Sequence, residues 1–259
     1  MRRLLLALLL LAALPAQAEE RVLDVATGRG ENVMRVLLLA PAGTPRGALV
    51  LLAGGDGSLD LTPEGRIRNL GGNQLVRTRN AYIAAGWLVA VPDMPLDTWR
   101  GRPYSRLGAE HAADLGQVVA LLRREVRLVV VAGTSMGSLS AANAAARLRG
   151  DQAPNGVILT SGLLMGGNGG PSVEEGVPGL SGIAMPVLLL HHRHDACRLT
   201  PPSGPALLRP LLKAAPRVDL VMLEGGSGTG NPCEGRSAHG FWGIDDQVVA
   251  TVTEWLGRL

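Results

Sequence analysis

Beyond Glu19 the chain alternates short unbroken apolar runs with longer stretches in which apolar residues recur every three or four positions. Residues 33–39 and 48–53 read as strands, separated by the Pro- and Gly-containing turn 41–47. Residues 74–85 predict a helix closed by Gly86 in the C-terminal cap position, followed by a buried strand over 87–91 that Pro92 stops. Residues 108–125 follow a helical period, with Ala112, Leu115, Val118, Val119 and Leu122 on one face. The alternation continues with strands at 128–132, 156–160, 186–190 and 217–223, and helices at 137–148, about 203–214 and 245–257. Fully apolar strands interleaved with helices predict an α/β fold, a mostly parallel central sheet covered by helices on both faces. The first strand or two, joined by a short turn, are expected at an antiparallel edge. Two glycine-rich stretches, 161–182 and 225–240, break the rhythm and are expected to be functional loops. With no internal repeat or boundary in view, residues 19–259 read as a single domain.

The first residues change the picture of where the chain works. MRRLLLALLLLAALPAQA carries two arginines, an apolar run from Leu4 to Leu14, Pro15 and the triplet Ala16-Gln17-Ala18. This is the layout of a secretory signal peptide with cleavage expected after Ala18. The run is about half of the roughly 20 residues that a membrane span requires; a retained anchor is its other reading. No cysteine stands near the cleavage point to suggest a lipoprotein. Export to the periplasm or beyond places Cys197 and Cys233 in an oxidising environment, where two cysteines have one possible pairing and a disulfide is expected.

Composition excludes more than it selects. The net charge is +3, and the arginines are scattered without aromatic interleaving, so nothing points to nucleic acid. Aromatic residues make up 3% of the chain, which leaves Leu, Val, Ala and Ile to fill the core. Gly54-Gly55-Asp56-Gly57 lacks the rest of a phosphate-binding motif, and no cofactor is implied.

The candidate chemistry starts at Gly133-Thr134-Ser135-Met136-Gly137, a G-x-S-x-G pattern between an apolar strand and an alanine-rich helix. A nucleophile projected from so sharp a strand–helix turn needs very small neighbours two residues before and after it. On this motif and its context the sequence resembles the α/β-hydrolase fold family, over nearly the whole chain after residue 18. The resemblance implies a triad in the order Ser, acid, His. Asp195, just past the strand 186–190 in HHRHDAC, and His239, between the last strand and last helix in SAHGFWG, fall at the implied positions. The imidazole would take the serine proton and the carboxylate would fix the ring. The oxyanion would be held by the backbone N–H of Met136 and by one from the loop after strand 48–53, for which Gly55 is the expected donor. In many relatives that loop begins His-Gly; here Ala53-Gly54 stands in its place.

His111, near Asp114, reads as a helix-surface residue or one supporting the site from behind. His191 and His194 have H-x-x-H spacing but no clear third ligand, so no metal site is assigned. A Cys197–Cys233 bridge would tie the acid loop to the glycine-rich loop before His239, either for catalysis or only as a staple. Segment 161–182 lies where the family often inserts a lid and is too short for a large cap, which implies an open site and a small or protruding acyl group. Trp99, Tyr104, Phe241 and Trp242 are candidate pocket walls, with plain core as the alternative. The expected function is an exported serine hydrolase acting on a small-molecule ester, before an amide or thioester, with no stable membrane insertion once the signal is removed. A catalytically silent binding or assembly protein, or an acyltransferase using the same triad, are its rivals.

Overall fold

Along the central strands successive side chains enter opposite layers, and both layers are apolar. Val50, Val131, Val157 and Leu189 face one core, and Leu49, Val130, Ile158 and Leu188 face the other, all fully buried. That is why these strands read as unbroken apolar runs. In the computed structural model, which describes residues 19–98, 103–167, 169–228 and 230–259, eight strands form one sheet. They are β1 (Glu19–Ala26), β2 (Val33–Ala40), β3 (Ala48–Leu52), β4 (Leu88–Pro92), β5 (Val129–Thr134), β6 (Gly156–Thr160), β7 (Val187–His192) and β8 (Val218–Leu223). Their spatial order is β1-β2-β4-β3-β5-β6-β7-β8. The expected signal peptide, residues 1–18, and Trp99 lie outside the described residues.

Helices cover both faces. α1 (Gln74–Ala84) and α6 (Asp245–Leu256) pack on one side through Leu75, Tyr82, Val248 and Trp255. α2 (Ala109–Leu122) and α3 (Gly137–Arg147) pack on the other through Leu115, Val119, Leu139 and the alanines of α3. Among the described residues, no helix is long and apolar enough to cross a membrane.

Several expectations need correction. The two strands flanking turn 41–47, β2 and β3, are not partners, because β4 lies between them. β2 runs antiparallel to β4 while β3 runs parallel to it. The antiparallel edge is completed by β1, whose sequence EERVLDVA is half exposed and too rich in charge to read as a strand. The helix expected at about 203–214 is α5 (Gly204–Leu208) followed by a 3-10 turn at Arg209–Leu211. Pro210 has no N–H to continue an α-helical ladder, which accounts for the early stop. Segment 161–182 holds a one-turn helix, α4 (Val173–Gly176), and buries Leu163, Leu164, Val173 and Leu180 in the core. Its apolar residues pack against the body of the fold.

Candidate functional site

From β4 to β8 the strands are parallel, so the loops leaving their C-terminal ends gather on one edge of the sheet, where ligands of open α/β sheets bind. Ser135 stands at the end of β5 with φ of 52°, a left-handed conformation rare for a residue with a side chain. Its N–H donates to the Thr160 carbonyl at 3.0 Å, and its own carbonyl accepts from Ser138 N at 3.0 Å and Ser138 Oγ at 2.6 Å. The turn leaves no space beside it. A β-carbon at Gly133 would overlap the Gly137 carbonyl, and one at Gly137 would overlap the Leu52 carbonyl of β3. The glycines are therefore required by backbone-on-backbone contact.

Asp195 follows β7 and is buried. Its Oδ2 accepts from Nδ1 of His239 at 2.9 Å, from the Thr200 hydroxyl at 2.9 Å and from Nε2 of His191 at 3.2 Å. Its Oδ1 accepts from the Cys197 N–H at 2.9 Å. Burial alone would raise this carboxyl, but the hydrogen bonds from His191 and His239 outweigh it and bring the group down to about 2. Because a carboxylate only accepts, His239 carries its proton on Nδ1 in the neutral ring, which leaves Nε2 as the free base.

His239 is held from outside as well. Arg77, on α1, donates to the carbonyls of Gly72, Gly235 and Gly240 at 2.9, 3.0 and 2.5 Å and pairs with Asp245 at 2.7 Å. One guanidinium thus clamps the loop on both sides of His239. The bond between Cys197 and Cys233 joins the same loop to the acid loop, with the two Cα atoms 4.6 Å apart.

Ser135 and His239 open into one cleft of about 350 Å³. Its lining comes from Gly55, from Leu70 and Asn73-Gln74 at the start of α1, and from Cys233 to Arg236. Gly55 has φ of 56°, and Met136 stands at the N-terminus of α3, where backbone N–H groups and the helix dipole favour negative charge. Of the aromatic residues expected as walls, the three described ones do not line the cleft. Phe241 is fully buried and meets the His192 ring edge-on at 5.9 Å between centroids. Tyr104 is 53% exposed and is not part of the lining. Trp242 lies against two cations, Arg77 at 5.1 Å and Arg236 at 5.5 Å, and reaches the cleft only through Arg236.

Besides Arg77, three contributors escape a reading of the sequence. His191, taken there as half of a possible metal pair, donates to Asp195 and to the Thr200 carbonyl at 3.0 Å. Thr200 carries no motif at all. Arg106 is 2% exposed and meets the loop that carries Gly55. His111, expected on a helix surface or behind the site, is buried. Its Nε2 lies 2.8 Å from Ser140 Oγ, and burial together with the nearby Arg106 and Arg29 charges lowers it to about 3.

No family model matches the sequence, and no curated protein does. Solved structures do match. A dienelactone hydrolase from Anabaena variabilis is 18% identical over 93% of this chain and 98% of its own, with a TM-score of 0.62. An esterase from Pyrococcus furiosus is 16% identical over 93% of both chains, with a TM-score of 0.65. An acylaminoacyl peptidase from Pyrococcus horikoshii is 13% identical over 93% of this chain and 41% of its own, with a TM-score of 0.61. Eight strands in this order, helices on both faces and these likenesses together give the chain the α/β-hydrolase fold.

Proposed function

We propose that the protein is an exported serine hydrolase that cleaves small carboxylic esters, with Ser135 as nucleophile, His239 as general base and Asp195 as its orienting acid. The observation that carries this reading is the elbow. Ser135 is held at φ of 52° between two glycines whose replacement would break backbone contacts, and it faces the same cleft as His239. Strained backbone of that kind costs of order 1–3 kcal/mol and persists where a function needs it.

In the first step His239 Nε2 takes the Ser135 proton as Oγ bonds to the substrate carbonyl carbon. The carbonyl π pair moves onto oxygen, where the Met136 and Gly55 N–H groups stabilise it. Collapse returns that pair, breaks the ester C–O bond and gives the His239 proton to the departing alcohol. Water then repeats the sequence on the acyl-enzyme, with His239 again as base, and releases the acid. Asp195 stays ionised throughout, which suits its low pKa.

Two of the three neighbours named above, a dienelactone hydrolase and an esterase, favour an ester, and the third, an acylaminoacyl peptidase, leaves an amide as the second choice. Export rests on the Arg-Arg, apolar run and Ala-Gln-Ala pattern of residues 1–18, and it suits the bonded cysteines. The test is labelling with a fluorophosphonate followed by peptide mapping, with Ser135→Ala as control. Label on Ser135 alone is expected, and folded protein that leaves Ser135 unlabelled overturns the reading.

A further inference from the structure

Arg106 is a buried cation whose hydrogen-bond partners are neutral. Its Nη2 lies 3.0, 3.3 and 3.1 Å from the carbonyl oxygens of Ala53, Gly54 and Gly55, and its Nη1 lies 3.0 Å from Ser140 Oγ. Ser140 belongs to α3, the helix that leaves the Ser135 elbow. The arginine backbone is fixed in turn, since Asn143 Nδ2 of the same helix donates to its carbonyl at 3.0 Å. Burying a guanidinium with no carboxylate among its hydrogen-bond partners is costly, and burial draws this one down to about 10 against the opposing pull of the nearby Asp56 charge. A stable fold does not need that cost merely to close a loop, because backbone N–H groups or water satisfy carbonyls elsewhere.

We infer that Arg106 is a positioning residue for the proposed reaction, one that turns the 53–55 loop so that the Gly55 N–H faces the substrate oxygen. The inference rests on the hydrolase reading above. The geometry follows from a planar trans peptide, in which the carbonyl of residue 54 and the N–H of residue 55 point in opposite directions. Drawing the Gly54 carbonyl inward to the buried guanidinium sends the Gly55 N–H outward, and Gly55 lines the cleft beside Ser135. The Gly57 N–H also donates to the Gly54 carbonyl at 3.1 Å, so that oxygen is held from two sides. A cation at the carbonyl end polarises the peptide and makes its N–H a stronger donor. Loop and arginine are also cut to fit one another: a β-carbon at Gly57 would overlap Arg106 Nη2.

The experiment compares wild type, Arg106→Lys and Arg106→Gln for hydrolysis of p-nitrophenyl acetate and for inhibition by a phenylboronic acid, which places a tetrahedral oxyanion at the serine. Thermal melts select the variants that fold. Losing one oxyanion donor costs about 10²–10³ in kcat, and misaligning one is expected to cost about 10–100-fold. The supporting result is a folded variant with kcat down by that factor, KM within about twofold of wild type, and boronate affinity falling together with kcat/KM. A folded variant with wild-type kcat, or with normal boronate affinity, overturns the inference. Should neither variant fold, Ser140→Ala, which removes the Nη1 partner together with the His111 contact, is measured the same way, with His111→Phe as the control for that second contact. A lower kcat at constant KM supports the role, and an unchanged kcat overturns it. The wild-type chain run alongside separates the two claims, because absence of turnover there defeats the hydrolase reading itself.

Discussion

Nε2 of His191 lies 3.2 Å from Oδ2 of Asp195, the same oxygen that accepts from His239. The proton on that nitrogen is fixed by a third party. Nε2 of His191 also lies 3.0 Å from the Thr200 carbonyl, which can only accept, so His191 must be the donor to both. The acid of the proposed triad is therefore held by one histidine from behind while it orients another in front.

This arrangement makes a prediction about acid. The folded-state pKa of Asp195, about 2, is below the ordinary carboxylate value of about 3.9, so the ionised group stabilises the fold at neutral pH by about 2 kcal/mol. That contribution is complete above the unfolded pKa and disappears as pH falls through the folded one, between about pH 4 and pH 2. His191→Phe removes a donor and raises the folded value towards the unfolded one. Its acid unfolding, followed by circular dichroism, is expected at higher pH than in wild type. An unmoved acid limb would show that His191 does not hold Asp195.

Backbone contact at the elbow predicts an unusual cost for a small change. Gly→Ala in most α/β loops alters stability by less than about 1 kcal/mol. Gly133→Ala must displace either β5 or the first turn of α3, and overpacking of that kind costs about 3 kcal/mol. Denaturant melts of Gly133→Ala against Gly182→Ala, where a β-carbon meets open space, measure the difference.

The bridge predicts a redox-dependent stability. It spans 36 residues of sequence, and a closed loop of that size contributes roughly 4 kcal/mol in the chain-entropy model. Melting with and without a phosphine reductant should differ by that amount, and Cys197→Ser with Cys233→Ser should match the reduced protein. An unreduced peptide map with two free thiols would remove the premise.

The lining of the cleft predicts a preference for short acyl groups. Among the described residues, Leu70 is its one aliphatic side chain, beside Asn73, Gln74, Glu234 and Arg236. An apolar pocket would gain about 0.8 kcal/mol for each methylene it buried. With p-nitrophenyl esters of increasing length, kcat/KM is expected to fall from acetate to octanoate. A steady rise would place the acyl group outside this cleft.

What a reader can take from the sequence divides along a physical line. Ser135 was legible because a strand–turn–helix is local and its glycines are part of the pattern. Asp195 and His239 were legible by order alone, each in the loop after a recognisable strand. Arg77, Arg106 and Thr200 were not, because they act on backbone carbonyls or on a carboxylate that only the tertiary fold brings near. Phe241 and Trp242 mislead for a related reason. An aromatic residue beside a candidate base predicts burial, but not which side of the chain will be buried. β1 was missed because an edge strand with one partner keeps charge on much of its length.

The Cys197–Cys233 bond has a topological effect beyond its strength. β8 is the outermost strand at its end of the sheet, paired only with β7, and it lies wholly inside the covalent loop from residue 197 to residue 233. Edge strands are where sheets recruit strands from other molecules or exchange their own. Here the bond joins the two ends of the segment that carries the strand, so the strand can leave only with the whole closed loop and not by its own opening. Oxidation thus ties the movement of the last strand to that of the acid loop, at a point a few residues before His239.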